Sequence, residues 1–192
     1  MKNPVLISLK LLLVMTVLTG VLYPAFITAL STLLFPNASG GSMVQSNGAP
    51  CGSRLLGQAF SSDKYFHGRP SAVEYSTQPS GGSNLAPTSD SLRRLVESMH
   101  ADFIRSNLLD SAAVVPTDML FASASGLDPH ISLNAALLQV DRVARARGLK
   151  EVGMKHLLAL VNASCEKRVL GFIGQPRINV LLLNLALDAM EQ

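Results

Sequence analysis

Residues 11–34, LLLVMTVLTGVLYPAFITALSTLL, carry no charged side chain and precede a long stretch of ordinary water-soluble composition. A helix rises about 1.5 Å per residue, so this run would extend roughly 36 Å, enough to cross a hydrocarbon core of about 30 Å. A secretory signal has a shorter apolar centre, roughly 7–15 residues, followed closely by a small-residue cleavage site. The best such site here, Ala38-Ser39-Gly40, lies beyond Phe35-Pro36 and clear of the apolar run. The sequence therefore predicts an uncleaved single-pass anchor at 11–34, between a short tail (1–10) and a Pro/Gly/Ser/Asn linker (35–50), with a soluble domain at 51–192.

Charge sets the expected orientation. Lys2 and Lys10 are the only ionised side chains before Arg54. Short basic flanks stay cytoplasmic, so the tail should face the cytoplasm and the domain the opposite side, which is the periplasm if the anchor sits in a bacterial inner membrane. Within the anchor, Pro24 removes a backbone donor and its ring presses on the carbonyl of Gly20, four residues back. Small residues recur at spacing four, as in Thr16/Gly20 and Ala25/Ala29, and such faces let helices approach closely in lipid. These features favour lateral packing against partner helices.

The net charge of +3 is misleading when read over the whole chain. With Lys2 and Lys10 set aside, the 16 basic residues become 14 against 13 acidic ones, so the domain is nearly neutral. Arg142, Arg145 and Arg147 cluster without interleaved aromatics, which reads as a solvated helix face and excludes a nucleic-acid groove. Cys51 and Cys165 could close a loop of more than a hundred residues, or remain two small unpaired side chains; no metal-type spacing is present.

The domain mixes helices and extended segments without regular βα alternation, so an α+β fold is expected. Apolar residues at Leu92, Leu95, Val96, Met99 and Phe103 predict a first helix, capped by Ser89, with Asp90 and Arg94 paired outside. A second helix should follow Ser132 and stop at Gly148, and a third should carry Met154, Leu157, Leu158 and Val161. Strands or extended segments are expected at Arg54–Phe60 and around Tyr65-Phe66, and a strand near Leu170–Ile173. Residues 178–187 should begin as a strand and end as a helix.

No catalytic signature stands out. The glycines of SGGSN (80–84) lack the lysine of a phosphate-binding loop. Ser125, Asp128 and His130 lie close together in sequence, but Ser and Asp that bond nearby backbone account for them better than a triad does. A membrane-anchored hydrolase using Ser125 or His130, or a free-standing scaffold protein, are the alternatives to an interacting subunit. The structured loops HGRPSA (67–72), SASGLDPHIS (123–132) and the Gly-Gln-Pro turn supply the candidate contact residues: His67, Gly68, Arg69, Pro70, Ser125, Gly126, Asp128 and Gln175.

The same loops resemble the C subunit family of the Kdp potassium-transporting ATPases. The matching stretches are GSRLLGQAF (52–60), YFHGRPSA (65–72), SGGSNLAPTS (80–89), VPTDMLFASASGLDPHIS (115–132), QVDRVARARGL (139–149), GQPRINV (174–180) and LNLALD (183–188), in the same order. Leu182 departs from the acidic residue expected at that position. The resemblance implies an accessory subunit that stabilises the assembly and, as a catalytic chaperone, raises the ATPase subunit's affinity for ATP. Its partners would be a channel-like potassium-translocating subunit, a P-type ATPase catalytic subunit and a small single-helix subunit. ATP would then be engaged only through the ATPase subunit, and the chain itself would hold no cofactor or metal.

Overall fold

The computed structural model describes residues 3–46 and 48–190, so Lys2, on which the expected orientation partly rests, lies outside the described residues. Backbone contacts divide the chain into two units, Met1–Ser53 and Arg54–Gln192.

The first unit is dominated by one apolar helical span, Pro4–Leu34. It consists of α1 (Pro4–Val17), a π-helical turn (Leu18–Leu22) and α2 (Tyr23–Leu34). The span starts before the uninterrupted apolar run because Asn3 accepts a hydrogen bond from the Val5 amide at 3.1 Å and Pro4 sits in the first turn. Lys10 therefore lies within the helix. The distortion expected from Pro24 takes the form of the π turn immediately before it, where the Tyr23 amide bonds back to the Leu18 carbonyl. The wider turn gives the proline ring room against Gly20.

Residues read from composition as a featureless linker carry α3 (Pro36–Ser39) and an antiparallel hairpin of β1 (Met43–Ser46) and β2 (Ala49–Ser53). Met43 pairs with Ser53 and Val44 with Gly52, and a register irregularity follows.

The second unit packs helices α4 (Asp90–Asn107), α5 (Leu133–Leu137), α6 (Val140–Ala146), α7 (Glu151–Ala163) and α8 (Val180–Ala189) around a two-stranded sheet. That sheet pairs β3 (His130–Ile131) with β4 (Ile178–Asn179). Phe66, Phe103, Ile131, Val143, Leu157, Val161, Ile178, Leu183 and Leu187 form the core. Segment 178–187 does pass from strand to helix. Asn179 makes the transition: its side chain accepts the Leu182 amide at 3.1 Å and donates to the Arg54 carbonyl at 2.8 Å. The second expected helix is interrupted at Leu138-Gln139 into α5 and α6, and Ser132 caps it as expected, accepting from the Ala135 amide. On α4, Arg93 takes the role expected of Arg94, pairing with both Asp90 and Glu97. Ser89 precedes that helix without a side-chain capping bond.

Arg54–Phe60 and Tyr65-Phe66, which the sequence left open between strands and extended segments, are irregular. One expectation is overturned: the arginine cluster is not a solvated face, since Arg142 is only 3% exposed. These two facts have one cause. The Phe66 amide donates to Asn184 Oδ1 (2.8 Å), and Asn184 Nδ2 donates to the Phe66 carbonyl (3.0 Å). Gln139 grips His67 in the same way, at 2.8 and 3.2 Å. Arg142 donates to the carbonyls of Asp63 (2.7 Å) and Tyr65 (3.0 Å), to Asn107 Oδ1 (2.9 Å) and to Gln139 Oε1 (2.8 Å). Side chains of α6, of Gln139 just before it and of α8 thus replace a neighbouring strand as partners for the backbone of 63–67, which enters the core at Phe66. Arg147 adds a bond to the Lys64 carbonyl (2.8 Å) and an ion pair with Asp188 (2.7 Å).

Replacing Arg142 by Met would take this donor from the Asp63 and Tyr65 carbonyls and from Asn107 Oδ1, while Gln139 Oε1 would keep the His67 amide. We expect a loss of about 3 kcal/mol or more, read as a fall in the denaturation midpoint of the purified chain. Lysine should rescue only part of it, because one ammonium lacks the guanidinium fork. A loss below about 1 kcal/mol would show that the 63–67 segment is held by other contacts.

Candidate functional site

The clamped segment leads directly into the first candidate loop. Arg69 leaves it and reaches Asp128 in the second loop, with Nη1 2.9 Å from Oδ2. Arg69 Nη2 donates to the Phe121 carbonyl at 3.3 Å, and Nε is buried without a hydrogen-bond partner among the described residues. The two charges read as independently exposed contacts therefore form an ion pair that joins the loops. Neighbouring bonds tighten the joint. Ser71 Oγ donates to the Gly126 carbonyl (2.8 Å), and Tyr75 Oη donates to the Arg69 carbonyl (2.6 Å). Gly126 is confined to glycine: its φ is +69°, and a Cβ there would lie 2.5 Å from Val73 and 2.8 Å from the Gly81 carbonyl.

The joint forms one side of an open cleft of about 450 Å³, lined by Arg69, Thr117, Asp118, Phe121, Asp128, His130, Ile131, Ser132, Gln175, Pro176 and Arg177. Three of the candidate contact residues, Arg69, Asp128 and Gln175, meet here from separate segments. The others do not. His67 is fixed through its backbone to Gln139, and its ring Nε2 lies 3.2 Å from the Ser62 carbonyl. Gly68 packs against the Tyr75 hydroxyl, Pro70 is half-buried and Gly126 is buried. Ser125 is exposed, and its Oγ accepts the Leu127 amide at 3.1 Å.

The chemistry of the cleft is that of turns and ion pairs. Asp128 Oδ1 accepts the His130 amide (3.0 Å) and lies 3.3 Å from His130 Nδ1. Asp118 accepts the Ser132 amide (2.6 Å) and hydroxyl (3.1 Å). Ser125, Asp128 and His130 are thus neighbours through local turns, with Ser125 Oγ bonded to the Leu127 amide and Asp128 Oδ1 to His130. Burial disfavours ionisation of Asp128, but the His130 and Arg69 hydrogen bonds outweigh it and hold the carboxyl at about 2. Burial, reinforced by Arg142, pushes the His67 imidazole below its ordinary value. Burial also raises the Tyr75 phenol, with the Asp128 charge adding to it. Among the described residues no cluster of His, Cys, Asp and Glu could hold a metal. Cys165 is a free thiol.

Sequence reasoning missed Thr117, Asp118, Phe121 and Arg177 as cleft residues. The only available signal for Asp118 was its place in the 115–132 run; its bond to Ser132 spans fourteen positions.

An apolar helical span long enough to cross a membrane, followed by a small domain of helices and a short sheet, is the architecture of a single-pass membrane protein. The family model described as "KdpC: K+-transporting ATPase, c chain" matches residues 5–189. Similar proteins named potassium-transporting ATPase KdpC subunit occur in Sorangium cellulosum (50% identical, covering 94% of this chain and 95% of the relative) and in Rhodopseudomonas palustris strain BisB5 (46%, covering 95% and 94%). A third, from Methylibium petroleiphilum, is 46% identical and covers 98% of each chain. The chain belongs to the KdpC family. It is thus an accessory subunit of a potassium-transporting ATPase and not the catalytic one.

Asp128 supplies a test of the loop joint. Its folded value lies below the 3.8 of an ordinary aspartate, so its contribution is complete above about pH 4 and lost as pH falls toward 2. Partial exposure limits the contribution to at most about 2 kcal/mol. Asp128→Asn should lower stability at neutral pH and flatten its fall between pH 4 and 2, as followed by denaturation at a series of pH values. A variant curve parallel to wild type would show that the carboxylate does not bind the loops.

Proposed function

We propose that the chain assembles with the membrane subunits of the pump at two places. Its helix packs laterally through Thr16, Gly20, Pro24, Ala25 and Ala29, and its domain offers the Arg69–Asp128 cleft to the channel-like subunit on the extracytoplasmic side. The observation that carries this reading is the convergence of Arg69, Asp128 and Gln175 on one open cleft with no reactive arrangement in it. A conformationally restricted loop surface binds a partner with little ordering cost. The positive-inside rule puts Lys10 on the cytoplasmic side of an inner-membrane anchor. An effect on ATP affinity would then pass through subunit contacts to the ATPase subunit and not through nucleotide bound to this chain.

The helix face can be tested without disturbing the chain itself, because a Cβ on Gly20 would meet nothing within 4 Å. Gly20→Leu should reduce recovery of the complex in mild detergent several-fold, while the soluble domain keeps its melting temperature. Full recovery would reduce the helix to a tether. Orientation is read separately. With Cys51 and Cys165 changed to Ser, a Ser98→Cys variant should react with a membrane-impermeant thiol reagent on spheroplasts; reaction only after lysis would reverse the topology.

A further inference from the structure

Between α7 and β4 the chain makes a hairpin whose apolar side chains point away from the core. Glu166 and Arg177 close its base through paired backbone bonds of 2.8 and 3.1 Å and a side-chain bond of 3.1 Å. Val169 and Ile173 close its tip through two more, at 3.0 and 2.9 Å. Leu170 takes a φ of +53° and Gly171 one of +83° to make the turn. The apolar run at 170–173 predicts a strand, where the structure has a turn. Leu170 is 80% exposed and Phe172 73%, with Val169 and Ile173 at least half exposed.

Single exposed apolar residues are ordinary, but four on one hydrogen-bonded tip form a patch that marks an interaction surface. Two further observations say what covers it. Lys167 and Arg168 stand exposed beside the tip, without an ion pair among the described residues, so the surroundings are cationic. The returning arm, Gln175 to Arg177, is also a wall of the cleft that holds Asp118 and Asp128, and Gln175 and Pro176 join Arg168 in lining a second groove of about 310 Å³. The carboxylates of that cleft are already met, Asp128 by Arg69 and Asp118 by Ser132, so what surrounds the tip is two cations and a concave groove. A flat lipid surface would meet the tip and leave the groove open; a shaped protein surface fills both.

We infer that residues 168–173 are a docking tip that enters an apolar socket, rimmed by carboxylates, on the extracytoplasmic face of another subunit of the pump. This rests on the reading of the chain as an assembled subunit, and it adds the anchor point that the cleft lacks. Leu170 and Phe172 fill the socket, Arg168 and Lys167 meet its rim, and the rigid turn means that little freedom is lost on binding.

The test uses the whole pump. Phe172→Asp should lower recovery of the chain with the other subunits at least tenfold without changing its own melting temperature. Val114→Asp, at an apolar position 88% exposed elsewhere on the domain, should leave recovery unchanged. Photoreactive benzoylphenylalanine in place of Phe172 should crosslink to another subunit in native membranes. If the wild-type chain is recovered with the pump but Phe172→Asp is recovered equally well, the docking tip is wrong and the subunit reading stands. Crosslinks to lipid alone, or none in an intact complex, also overturn it. Failure of the wild-type chain itself to co-purify would overturn the subunit reading.

Discussion

The soluble unit depends on a backbone segment that has no strand to pair with. Residues 63–67 run from the surface at Asp63 and Lys64 into the core at Phe66, which is fully buried, and side chains of Asn184, Gln139 and Arg142 bond backbone groups of Asp63, Tyr65, Phe66 and His67. Leaving such groups unpaired away from water costs more than the bonds return when formed. The three polar side chains are therefore as necessary to the core as Leu183 or Val143. They also tie α8, α6 and the junction before α6 to the same five residues.

The position of the cleft follows from that clamp. Arg69 stands two residues beyond His67, so fixing the His67 backbone fixes where its guanidinium begins. Asp128 is placed from the other side by its turn with His130, the first residue of β3. The ion pair closes a gap between two loops that are already positioned, and this limits what it contributes to stability while making its geometry reproducible. A surface built in this way suits recognition better than chemistry, because its charged groups have their partners before any ligand arrives.

The anchor obeys a different constraint. In hydrocarbon every backbone donor and acceptor must be met within the helix, so the donor missing at Pro24 is accommodated by a local π turn and not by a break. Thr32 follows the same rule, returning its hydroxyl to the Thr28 carbonyl at 3.0 Å. What remains on the surface of the span is apolar and small-faced, with Gly20 open to approach.

The sequence by itself determined the elements whose signals are local. The span is legible in hydropathy, α4 and α7 in their apolar spacing, the start of α5 in Ser132, and the passage from strand to helix in the apolar segment 178–187, whose turning point at Asn179 the structure supplies. The resemblance of ordered loop motifs led to the family. Tertiary structure alone decided the rest, because the interactions responsible join distant positions. Nothing near Arg142 in sequence says that its guanidinium will be buried against Asp63 and Tyr65, some eighty residues away, and helical spacing of arginines ordinarily means a wet face. Arg69 and Asp128 look like two free charges until the fold brings them to 2.9 Å. The apolar run at 169–173 has the composition of a core strand, and only the packed domain, with its core already filled by Ile178, Val161 and Leu157, leaves that run outside. Burial is a property of the whole chain, and a local pattern states a preference that the remaining residues can refuse.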